Sequence, residues 1–173
     1  MQDTFLKDCI KRFEYYKSLA DKTFDQLEEK DFFFKPSPDS NSIAIIIQHM
    51  YGNMLSRWTN FLTEDGEKDW RNRDSEFNEM QISKQDLLSF WNEGWKVLID
   101  TLKSLTPEDL DKTIHIRTEP LIVYDAIIRQ MAHYPYHVGQ IITIAKMIKD
   151  KDFKSLSIPK GESQQFNQQM QQR

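Results

Sequence analysis

An all-α fold, a four-helix bundle, is what this sequence predicts, and three observations carry the prediction. Apolar residues recur at three- and four-residue steps in four separate segments. Polar or proline-containing stretches divide those segments, and only one short run, Thr113 to Thr118, alternates as a strand does. The 173 residues, 39% hydrophobic and 29% charged, suit a single soluble domain with one core.

The first helix is expected from about Thr4 to Glu29, with Phe5, Cys9, Phe13, Tyr16, Ala20, Phe24 and Leu27 on one stripe. It ends before KPSPDSNS, where Pro36 and Pro38 exclude helix and Ser40 or Asn41 can cap the next one. The second runs from about Ser42 to Leu62, its stripe being Ile43, Ile46, Met50, Met54, Trp58 and Phe61. A long polar connection, TEDGEKDWRNRDSEFNEMQI, separates helices two and three, and loops of that length in compact domains often carry function. Helix three starts at Ser83, where Ser83 and Asp86 form a weaker version of the capping box, and presents Leu87, Leu88, Trp91, Trp95, Leu98, Ile99, Leu102 and Leu105. The run Thr113 to Thr118 can form a short β element before helix four, which begins near Leu121 to Val123 and reaches about Lys149. Residues 1–160 make the bundle, and the glutamine-rich residues 161–173 read as a polar, flexible tail.

Composition excludes several classes of function. A net charge of −4 with no clustered basic stripe argues against nucleic-acid binding. The most apolar short run, Ile43 to Ile47, is too brief to span a bilayer, and the charged N-terminus does not resemble a signal peptide. The single cysteine, Cys9, has no partner for an internal disulfide, which suits a reducing cytoplasm, and its place on the helix-one stripe reads as core. There is no GxxxxGK or GxGxxG loop, and no carboxylate stands three residues before any histidine, so the di-iron pattern of ferritin-like bundles is missing.

The four histidines are more informative. His133 and His137 stand at i and i+4 on helix four, about 40° apart around the axis and about 6 Å apart along it, so both imidazoles can reach one metal ion. His49 follows Ile45 and Ile46 at the edge of the apolar face of helix two and is the candidate third ligand. Hydrogen-bonded core histidines would show the same spacing. His115, in the polar run TIHIRT, reads as a surface residue. Pro135 lies between the helix-four pair and removes one backbone hydrogen bond, which either opens space beside the ligands or merely curves the helix. Gly52, Gly94 and Gly139 fall inside expected helices, where close packing and a pocket are equally good explanations.

With NSIAIIIQHMYGNM in helix two and HYPYHVGQI in helix four, residues 1–150 resemble the DinB/YfiT-like superfamily of metal-binding four-helix bundles, in an uncharacterised subgroup. The resemblance implies that His49, His133 and His137 bind a divalent metal, zinc or nickel, and that the Gly139-Gln140 pair follows the motif as it does in the family. It further implies a homodimer acting on a small-molecule substrate. Some members resemble transferases of a low-molecular-weight thiol such as bacillithiol. The leading expectation is therefore metal-dependent transfer of such a thiol to an electrophile. A metal-dependent hydrolase using metal-bound hydroxide, and a non-catalytic metal-binding stress-response protein, are the alternatives.

Three further residues are candidates for the surroundings of the ion. Asn53, four residues after His49, and Gln140, three after His137, can hydrogen-bond an imidazole. Arg57, one turn beyond Asn53, can meet a carboxylate on a thiol cofactor or form an ordinary surface ion pair. Lys160 and Glu162 lie in the tail, and Phe32, Phe33 and Phe34 are candidates for a dimer face or for closing the bundle end.

Overall fold

A computed structural model describes residues 2–171. Four long helices form the bundle: α1 (Gln2–Phe24), α2 (Ile43–Trp58), α3 (Lys84–Ser104) and α4 (Val123–Lys149). A two-stranded hairpin, β1 (Thr113–Ile116) and β2 (Glu119–Ile122), precedes α4. A fifth helix, α5 (Ser163–Gln171), brings the count among the described residues to five rather than four. It occupies the stretch expected as loose tail, and none of its residues is buried. None of the described helices is long and apolar enough to cross a membrane.

Helix α2 packs mainly on α3, and α1 mainly on α4, with α1 on α3 and α2 on α4 as the lesser contacts. Consecutive helices α1 and α2, and likewise α3 and α4, therefore face each other across the diagonals. That order sets α2 beside α4, as the histidine reading requires. The core between them is aromatic. Trp91, Trp95, Tyr134 and Phe13 are fully buried, with Trp95 and Tyr134 ring centroids 5.9 Å apart and Phe13 and Tyr134 6.0 Å apart. Gly94 is a close-packing glycine, because a Cβ there would lie 3.1 Å from Met54 Sδ across the α2–α3 contact. Cys9 is buried, and burial together with Asp8 pushes its thiol up to about 11, so it stays protonated and inert.

Helix ends depart from expectation where local hydrogen bonds compete with periodicity. Helix α1 stops at Phe24 instead of Glu29, because Gln26 and Leu27 donate to carbonyls three residues back and tighten the last turn. A 3₁₀ turn, Glu29–Phe33, follows and brings Phe32 into the core, with its ring 5.4 Å from Phe24, leaving Phe33 and Phe34 exposed. Helix α2 is capped by the Ser42 side chain, not by Ser40 or Asn41, and ends at Trp58 instead of Leu62. Asn60 just beyond adopts a φ of 50°, which turns the chain so that Phe61 packs back on Trp58 at 4.7 Å.

The hairpin is longer than the alternating run alone indicates, since Glu119–Ile122 pairs with Thr113–Ile116. Its two-residue turn places Arg117 and Thr118 at φ 56° and 65°, without the glycine or asparagine such turns favour. Asp65, from the long connection, compensates by accepting the backbone N–H groups of Arg117 at 2.8 Å and Thr118 at 2.7 Å. His115 is exposed on β1, as expected.

Ser83 and Asp86 do form a reciprocal capping box on α3, with Asp86 N donating to Ser83 Oγ at 3.1 Å. Replacing Ser83 by alanine is expected to destabilise the protein by about 1 kcal/mol. Urea unfolding of Ser83→Ala against wild type measures the change.

Candidate metal centre

The sequence brings three imidazoles together because α2 and α4 are neighbours and each turns its histidine face inward. His49 is buried, and His133 and His137 are half-buried. Their ring centroids lie 5.6 Å (His49–His133), 5.0 Å (His49–His137) and 4.7 Å (His133–His137) apart. One nitrogen from each falls within 4.8 Å of the others, close enough to bind one metal ion. Nitrogens around a tetrahedral zinc, each bonded at about 2.0–2.1 Å, stand about 3.3 Å apart.

Which nitrogens face inward follows from what holds the opposite edge of each ring. His49 Nδ1 lies 2.9 Å from Glu76 Oε2, His133 Nδ1 3.1 Å from Gln130 Oε1, and His137 Nδ1 2.8 Å from Gln140 Oε1. All three partners are oxygen acceptors, so each ring carries its proton on Nδ1 and its lone pair on Nε2. The Nε2 atoms of His133 and His137 are then 3.0 Å apart with lone pair facing lone pair, an arrangement that repels until a cation lies between them. A proton does not serve. Burial, then the neighbouring His137 and His49 and the charges of Arg129 and Arg57, push His133 down to about 3. Burial lowers His137 as well, against the opposing effect of its hydrogen bond to Gln140. The donor set therefore fits a divalent ion that accepts neutral imidazole.

Of the three surrounding residues read from sequence, Gln140 alone touches a histidine. Asn53 Oδ1 instead accepts from the Tyr134 hydroxyl at 3.0 Å, and that hydroxyl accepts from Trp58 Nε1 at 3.0 Å. This chain ties α2 to α4 directly under the histidines. Arg57 is buried rather than paired at the surface, and it donates to the Gly66 carbonyl and to Glu67 Oε2 at 3.1 Å. Its work is to hold the long connection against α2.

Periodicity does not point to Glu76, which lies in a 3₁₀ turn, Asp74–Phe77, inside that connection. Burial opposes its ionisation, yet hydrogen bonds from His49 and Arg71 and the Arg71 charge hold its pKa below the usual carboxylate range. Arg71 grips both carboxylate oxygens, Nε to Oε1 at 2.7 Å and Nη2 to Oε2 at 3.0 Å. Gly52 makes the approach possible, since a Cβ there would overlap Glu76 Oε1. The one sequence signal for Glu76 was therefore a helical glycine three residues after His49. Gln130 stands three residues before His133, mirroring Gln140 three after His137. Phe77 stacks on His49 at 5.0 Å, and Tyr136, largely exposed, lies 5.1 Å from His137.

A helical bundle with three histidines from two adjacent helices is the class these features define, and known proteins agree on its fold. The crystal structure of a DinB-like protein, YjoA from Bacillus subtilis, superposes with a TM-score of 0.57 at 16% identity, covering 87% of this chain and 96% of that one. The chain belongs to the family described as protein of unknown function DUF1572, whose model matches residues 1–162. No curated protein matches it.

Two outcomes follow from the hydrogen bonds behind the rings. Glu76→Ala is expected to weaken zinc affinity by about 10- to 100-fold, and Gly52→Ala, which displaces the same carboxylate, by a comparable factor. Competition with a chromophoric chelator measures both. The second outcome concerns pH in chelator-treated protein. Folded His133 takes a proton only near pH 3, whereas the unfolded residue does so near 6.5, so between those values the unfolded chain binds more protons. The stability this residue contributes is complete above about 6.5 and is lost progressively as pH falls toward about 3. Urea midpoints at several pH values should decline across that window.

Proposed function

We propose that this protein is a cytoplasmic, metal-dependent enzyme that holds zinc or nickel on His49, His133 and His137 and transfers a low-molecular-weight thiol, of the bacillithiol type, to an electrophile. The observation that carries the reading is the convergence of three Nε2 lone pairs, each ring oriented by an acceptor at Nδ1. Held by His49, His133 and His137, a divalent ion would keep its full charge and open positions and would supply the acidity that makes a small thiol a thiolate at neutral pH. Transfer would form the sulfur–electrophile bond as the leaving group departs with the bonding electron pair and the thiol proton passes to solvent.

The chain's own residues supply position rather than proton transfer. Gln130, Gln140 and Glu76 fix the three rings, and Tyr134, bonded to Asn53 and Trp58, braces the helices beneath them. Burial raises the Tyr134 hydroxyl pKa, so it is no general base. Both oxygens of Glu76 are already engaged by Arg71 and His49. A site whose nearest carboxylate is committed suits a nucleophile that the ion itself would activate, a thiolate or a hydroxide. Exposed Phe33 and Phe34 offer apolar surface for the homodimer that accompanies this reading.

The test is a panel of small thiols, bacillithiol among them, offered with an aryl or alkyl halide to zinc- or nickel-loaded protein. Expected is metal-dependent loss of the halide, abolished in His137→Ala. No turnover with any thiol, alongside cleavage of ester or amide probes, would replace the reading with hydrolysis. Inactivity toward both would leave a non-catalytic metal-binding protein.

A further inference from the structure

A cavity lies not over the histidines but beside them, between α4, Ile46 of α2 and the turn before α2. Its volume is about 570 Å³, within the range that small-molecule sites occupy. Ile46 of α2, Tyr136, Gly139, Gln140 and Thr143 of α4, and Asn41 from the turn before α2 form most of its wall. No charged side chain lines it, in a chain with 23 basic and 27 acidic residues. Hydroxyl and amide groups alternate there with aliphatic surface, so the wall offers hydrogen bonds and apolar contact but no countercharge.

This cavity is joined to the histidines by hydrogen bonds through Gln140. Gln140 Oε1 accepts from His137 Nδ1 at 2.8 Å, and its Nε2 donates to the Tyr136 hydroxyl at 3.1 Å. A ligand hydrogen-bonding to either group in the cavity therefore acts on the residue that orients His137. Gly139 keeps the space open. A Cβ at that position meets nothing within 4 Å, in contrast to Gly52 and Gly94, where a Cβ would strike Glu76 or Met54. Close packing explains those two glycines and does not explain this one.

We infer that the cavity beside Gly139 is a binding site for an uncharged, partly apolar small molecule, coupled to the metal centre through Gln140. Its role as the site for the electrophilic acceptor rests on the thiol-transfer reading, whereas binding itself does not. A charged ligand of equal size is disfavoured, because burial without a countercharge is costly. Gly139 is the specificity-determining position, since any larger side chain there projects into the space the ligand needs.

Ligand-observed NMR with benzamide and benzoate tests this in metal-free and zinc-loaded protein. Benzamide is expected to bind wild type in both forms, with benzoate weaker by about tenfold or more. Gly139→Leu should abolish benzamide binding while zinc stoichiometry and thermal midpoint stay at or above wild-type values, since leucine is the better helix former. Thr143→Leu, one turn along the same wall, should weaken it independently. Benzamide binding should also shift the His137 imidazole resonances, through Gln140. Equal binding of the two probes, binding of neither, or unchanged benzamide affinity in both variants would overturn the proposal. A changed sedimentation coefficient in Gly139→Leu without a change in probe binding would also overturn it, identifying the face as a contact between copies. Loss of zinc binding in wild type would instead remove the metal reading and leave the benzamide result standing.

Discussion

Three imidazole lone pairs aimed at one point repel one another, and much of the surrounding structure exists to hold them there. An unrestrained histidine would rotate or change tautomer to relieve that repulsion. Here each ring is pinned from behind by an oxygen that only an Nδ1–H can satisfy: Glu76 for His49, Gln130 for His133, Gln140 for His137. At His133 and His137 burial adds to this by opposing protonation, so that their lone pairs remain available at neutral pH.

The three restraints are not equivalent. Two are neutral amides on α4 itself, set by helical spacing. The third is a carboxylate brought from outside the bundle, and it requires a longer chain of support. Gly52 clears space on α2, Arg71 neutralises the buried charge, and Glu67, held by Arg57 and Arg117, keeps the connection in place. Asp65 extends the same segment to the turn of the hairpin. The long connection after α2 is thus a structural arm of the histidine cluster, and the hairpin is its outer anchor.

The parts governed by helical periodicity could be read from the chain. The stripes of α1, α2 and α3, the i,i+4 histidine pair, the edge position of His49 and the capping role of Ser83 all depend on local spacing. Gln140 was legible for the same reason, and Gln130 was equally accessible by symmetry. What escaped depends on contacts distant in sequence. Nothing near residue 76 marks it as a histidine partner, because its role is decided by how the connection folds over Gly52. The first strand of the hairpin was legible as the alternating run from Thr113, but its second strand escaped because the turn relies on Asp65, fifty-two residues earlier, instead of on glycine. Arg57 looked like a surface residue until that connection covered it.

X-ray absorption at the zinc edge, on protein reconstituted with one equivalent of zinc, tests the convergence of the three rings most directly. The expected spectrum shows three imidazole nitrogens at about 2.0–2.1 Å, completed by a light non-protein ligand. A shell of oxygens alone, or zinc removed by gel filtration in wild type as readily as in His137→Ala, would contradict the metal centre and leave the three histidines as packing.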